Sequence, residues 1–113
     1  MNNLASLLTE KGDKANLDKA LGLAKGFENA DYPAFIDTLG WIYFKSGQND
    51  RALPLLQKAV DKAPDVAVFQ YHLGMAYYKK GDMKTAKGYL KKAVDAKSKF
   101  PGIEEAKGTL AKL

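Results

Sequence analysis

Aligned without a gap at a spacing of 34, residues 33–66 and residues 67–100 say the same thing twice. Twelve positions are identical: Phe35/Phe69, Leu39/Leu73, Gly40/Gly74, Tyr43/Tyr77, Lys45/Lys79, Gly47/Gly81, Ala52/Ala86, Leu56/Leu90, Lys58/Lys92, Ala59/Ala93, Val60/Val94 and Asp61/Asp95. A chain with this self-similarity is a stack of like units, each burying its apolar face on the next, and not a globule around one irregular core.

Within each copy the apolar residues recur at three and four, the period of an amphipathic helix, and the breaks fall at matching places. The pattern predicts helices over about 33–46 and 49–62 in one copy and over about 67–80 and 83–96 in the next. Gly47 and Gly81 mark the turns, and Ala63-Pro64 stops the second helix because proline cannot continue the hydrogen-bond ladder. Asp31 and Asp65, also 34 apart, are expected to cap the first helix of each pair. Pro54 is expected to bend its helix mildly.

Residues 101–113 read as one further amphipathic helix, with Ile103, Ala106 and Leu110 on one face, covering the apolar side of the last copy. Residues 1–30 form a less regular first unit, with Leu4, Leu7 and Leu8 before Gly12 and Leu17 to Phe27 after it. The whole 113-residue chain is expected to be a single all-α domain. Gly40 and Gly74 lie inside helices, where glycine costs about 1 kcal/mol relative to alanine, so close helix crossing is expected there, Gly40 meeting Ala52 and Gly74 meeting Ala86.

The pattern Leu39-Gly40, Tyr43, Gly47, Ala52, Leu56, Ala59, Pro64, repeated as Leu73-Gly74, Tyr77, Gly81, Ala86, Leu90, Ala93, resembles the tetratricopeptide repeat, in a bacterial version. Ser98 replaces the closing proline and Leu8 the tyrosine of the first copy. The resemblance implies a right-handed superhelix of antiparallel helix pairs, about three units plus a C-terminal capping helix. It further implies a concave groove, lined by the first helix of each pair, that receives a partner peptide. Carried over position by position, the groove residues are Asn2, Asn3, Ser6, Asp37, Thr38, Trp41, Lys45, Tyr71, His72, Met75 and Lys79, bordered by Phe44 and Tyr78. Trp41, Tyr71, Met75 and Tyr78 between Lys45 and Lys79 suit an amphipathic peptide with an acidic flank. Trp41 is expected either to anchor a partner side chain or to pack under its neighbours. The family's clamp for chaperone carboxylate tails needs lysine, asparagine and arginine where this chain has Asp37, Thr38, Tyr71 and His72, so that ligand is not expected.

Other classes find little support. His72 is the sole histidine and cysteine is absent, so no familiar metal spacing exists, and no nucleophile, paired carboxylate or phosphate loop points to catalysis or a cofactor. The net charge of +5 is carried almost wholly by lysine, ten of them between Lys79 and Leu113. Lys84, Lys87 and Lys91 follow one helical face and read as a solvated surface, not a nucleic-acid groove. No apolar run is long enough to cross a membrane, and the opening residues show no targeting pattern, leaving cytoplasm and periplasm equally compatible. The expectation is a protein interaction scaffold, not an enzyme. The alternative is a self-assembling module that oligomerises through an exposed terminal repeat around Leu4, Leu7 and Leu8.

Overall fold

The computed structural model describes residue 22, residues 32–96 and residues 99–113. Five helices follow from Tyr32 onward: α1 (Pro33–Lys45), α2 (Asn49–Lys62), α3 (Ala67–Lys80), α4 (Met83–Asp95) and α5 (Ile103–Ala111). There is no strand among the described residues. α1 packs along α2 and α3 along α4, the second pair stacks on the first through α2, α3 and α1, and α5 lies against α4 and α3.

The two inner turns are copies of one another. Gly47 and Gly81 have φ of +80° and +96°, a left-handed conformation that glycine adopts without the clash a Cβ brings. The residue after each glycine reaches back to the same carbonyl: Gln48 N–H donates to Tyr43 O at 2.8 Å, and Asp82 N–H to Tyr77 O at 3.0 Å. These bonds satisfy carbonyls that the helix end leaves open and turn the chain into an antiparallel hairpin.

The N-termini differ from expectation. Asp31 lies outside the described residues, and Tyr32 occupies the N-cap position of α1 without a capping bond from its side chain. α3 starts from Val66, not Asp65, again without a side-chain cap. The Gln70 amide folds back to donate to the Pro64 carbonyl, while Val66 O accepts from the N–H groups of Phe69 and Gln70, so the helix is launched one residue later than Asp65 would place it. The side chain that does cap is Asp82, which accepts from Thr85 N–H at 3.2 Å ahead of α4. α2 runs unbroken through Pro54.

Gly40 and Gly74 sit at helix crossings, but their partners are leucines, not the expected alanines. A Cβ at Gly40 would come within 2.9 Å of Leu56 Cγ and Cδ2, and one at Gly74 within 2.8 Å of Leu90 Cγ. The leucine lies flat on the bare glycine backbone. Ala52 and Ala86, both fully buried, line the same seam. The core divides in two. Ile36, Leu39, Ile42, Leu56 and Leu73 fill the space between the pairs, and Trp41, Tyr71, Met75, Leu90, Phe100 and Ala106 fill the space beneath α5. The glycines open the room that both clusters use.

Candidate functional site

The first helices of successive units lie side by side, with α3 between α1 and α5. A hollow of about 350 Å³ runs along α1 from Ala34 to Lys45, against the first turns of α3 and α5. Ala34, Asp37, Thr38, Trp41 and Lys45 line it from α1, Val68, Phe69, Tyr71 and His72 from α3, and Pro101, Gly102 and Glu105 from the start of α5. The set is periodic: Ala34, Val68 and Gly102 are separated by 34, as are Asp37, Tyr71 and Glu105. One repeat position thus supplies one wall residue from each unit.

A ring stack crosses the back of this hollow. Trp41 lies 3.9 Å from His72 and 4.7 Å from Phe44 between ring centres, at interplanar angles of 16° and 6°. Tyr71 tilts against Trp41, His72 and Phe100, and the Lys45 ammonium stands 4.9 Å from the Trp41 ring. These contacts leave Trp41 only 9% exposed, with its ring packed against its neighbours while it also lines the hollow.

The polar elements are equally committed. His72 Nδ1 stands 2.9 Å and 2.8 Å from the two oxygens of Asp37, a buried bond joining α3 to α1. An ionised carboxylate only accepts, so Nδ1 is the donor. Thr38 donates its hydroxyl to Ala34 O at 2.9 Å. Burial pushes the Tyr71 phenol well above its ordinary range, reinforced by the charge of Glu105 and a hydrogen bond to it, so the phenol stays neutral and donates to that carboxylate. Gly102, at φ +93°, sits directly on the Tyr71 ring, where a Cβ would meet ring atoms at 2.7 Å. α5 is thereby held against the groove by a backbone contact as well as by a hydrogen bond.

Of the residues picked out by sequence, Asp37, Thr38, Trp41, Lys45, Tyr71 and His72 come together around the hollow. Met75 is buried in the cluster beneath α5, and Phe44 and Tyr78 are half-buried outside the hollow. Lys79 lies beside a separate hollow next to α2, its ammonium 5.9 Å from the Phe44 ring. Asn2, Asn3 and Ser6, like Leu4, Leu7 and Leu8, lie outside the described residues. Pro101, Gly102 and Glu105 were missed because the last helix read only as a cap. Extending the 34-residue register from Asp37 and Tyr71 one step further would have found Glu105.

The family is decided by a match covering residues 38–99 to the family model described as "Tetratricopeptide repeat". The chain belongs to the tetratricopeptide repeat family. Among solved structures, the Sgt2 TPR domain from Aspergillus fumigatus matches with a TM-score of 0.73 at 20% sequence identity, covering 96% of this chain and 77% of that one. No curated protein matches. At this identity the likeness is one of fold, a helical repeat architecture, while membership of the tetratricopeptide repeat family suggests a protein–protein interaction module. Among the described residues no group of three or more acidic, histidine or cysteine side chains is placed to hold a metal ion, and no helix is long and apolar enough to cross a membrane.

Proposed function

We propose that this tetratricopeptide repeat chain binds a segment of a partner protein in the hollow between α1, α3 and α5. The observation that carries this reading is the hollow itself: about 350 Å³, walled by matching positions of three successive units, large enough for one or two side chains. Ala34, Val68 and Phe69 offer apolar wall, while Asp37, His72, Lys45 and Glu105 offer groups that orient a ligand. The wall side chains are already fixed by stacking and hydrogen bonding, so binding there orders few new groups and little affinity is lost to conformational entropy. A partner segment continuing toward the C-terminal ends of α1 and α3 meets Lys45 and Lys79, which suit an acidic flank.

The test uses peptides selected from a displayed library against the intact chain, with affinities measured by titration calorimetry. Ala34 is exposed, so Ala34→Trp fills the mouth of the hollow without disturbing the core. The expected result is a loss of affinity of at least about tenfold with an unchanged helical circular dichroism spectrum. Full affinity in the folded variant would place binding elsewhere.

A further inference from the structure

Resting on that reading, we infer that the hollow takes a cationic side chain, an arginine or lysine of the partner, as its anchor. Asp37 on one wall and Glu105 on the other are carboxylates that can only accept hydrogen bonds, and each has accepting capacity beyond the bond it receives from His72 or Tyr71. His72 spends its Nδ1 hydrogen on Asp37. The hydroxyl of Thr38 is directed into its own helix, onto Ala34 O. Asp37 and Glu105 thus leave accepting capacity on two walls, and the ligand that matches them is a donor.

Two features oppose this and are offset. Lys45 also lines the hollow, but its ammonium is held over the Trp41 ring. The open N–H groups at the start of α5 favour an anion, yet Glu104 and Glu105 stand in that first turn and supply it from within the chain. Asp37 and Glu105 set two lining carboxylates against the single ammonium of Lys45. A basic side chain entering between the buried carboxylate of Asp37 and the exposed one of Glu105 gains charge-assisted hydrogen bonds. An acidic one would meet two like charges.

N-acetyl-arginine methylamide, its neutral isostere N-acetyl-citrulline methylamide and N-acetyl-glutamate methylamide are titrated into the intact chain, following amide resonances of Asp37, His72 and Glu105 and the Trp41 indole N–H. The arginine probe is expected to shift these signals and to bind at least about fivefold more tightly than either of the others. Glu105→Gln keeps an oxygen that accepts from Tyr71 and removes the charge, so it should erase the preference for arginine over citrulline while leaving the fold intact. A second arm takes the library-selected peptides whose binding Ala34→Trp abolishes and replaces each basic residue with citrulline, with an expected fall in affinity of similar size. Equal or tighter binding of the glutamate probe, no selective shift with arginine, or an arginine preference that survives Glu105→Gln overturns the cationic anchor. Selected peptides that bind in the hollow yet contain no basic residue overturn it too, while leaving the groove reading in place.

Discussion

Gly74 and Gly88 are only fourteen residues apart in sequence, both helical, and they are expected to respond to substitution with opposite signs. A Cβ at Gly74 would lie 2.8 Å from Leu90 Cγ and 3.2 Å from Leu90 backbone N, so Gly74→Leu should destabilise by about 1–3 kcal/mol or more as α3 and α4 are forced apart. Gly88 has nothing within 4 Å and is exposed on α4, so Gly88→Ala should stabilise by roughly 0.5–1 kcal/mol through helix propensity alone. Urea unfolding of both variants checks the pair, and equal shifts would deny that Gly74 is there for contact. His72 is tested in the same way. His72→Phe keeps a ring against Trp41 but leaves the buried Asp37 carboxylate without its donor, with an expected cost of about 3 kcal/mol. Adding Asp37→Leu should recover much of it, because the penalty lies in the stranded charge. Recurrence disclosed the glycines, since an interior glycine found twice at the same register signals a steric need. Their partners were not legible, because small residues on both helices suggested small-on-small contact when a leucine in fact covers the bare backbone. Trp41 was ambiguous for a related reason: helical spacing places it on the groove side, but only coordinates reveal that Phe44, His72 and Lys45 already surround it.

At the scale of the helices, the ends carry the information that periodicity lacks. The boundaries of α2 and α3 were readable to the residue from glycine and proline punctuation, whereas the capping residues were not. An aspartate ahead of a helix caps only if the backbone turns at that residue, and the Gln70 to Pro64 bond moves the turn past Asp65. Asp82 is the cap that forms, and its carboxyl is held below its ordinary value of 3.8, chiefly by the Thr85 hydrogen bonds. A carboxyl whose folded value is depressed contributes stability above its unfolded value and loses it as pH falls through the folded one. The stability gap between the parent chain and Asp82→Ala should therefore be present at neutral pH and close as the solution is acidified below that ordinary value. Asp82→Asn, a good cap without a titrating group, should keep its stability relative to Asp82→Ala at both ends of the range. Thermal melts across pH check this, and a gap independent of pH would assign the effect to something other than the cap bond. Gly102 plays the matching part for α5. Its φ of +93° and its seat on Tyr71 mean that Gly102→Ala should destabilise the docking of α5 by about 1–3 kcal/mol, read as faster hydrogen exchange in α5 than in α1 or α2.

For the molecule as a whole, α5 both covers the α3–α4 pair and forms a wall of the hollow, so its removal should affect stability and binding together. Its Ala106 is fully buried, its Ile103 and Leu110 pack onto the cluster of Leu90, Ala93, Tyr71 and Phe100, and its Glu105 lines the hollow. Deleting residues 101–113 would return several large apolar side chains to water, each worth about 1.5–3 kcal/mol when fully buried. A small domain has only about 5–15 kcal/mol of stability in total. In a stack whose units touch only their neighbours the loss is not shared evenly. The pair α3–α4, which α5 covers, should open first, while α1–α2 keeps most of its protection because its contacts with α3 are untouched in the folded form. Hydrogen exchange of the truncated chain should therefore show α4 amides exposed well before those of α2, together with loss of the peptides selected against the intact hollow. Uniform exchange along the chain would mean that the two pairs unfold as one unit. Unchanged peptide affinity would mean that Glu105 and its neighbours contribute nothing to recognition, a result that the shared 34-residue register of Asp37, Tyr71 and Glu105 argues against.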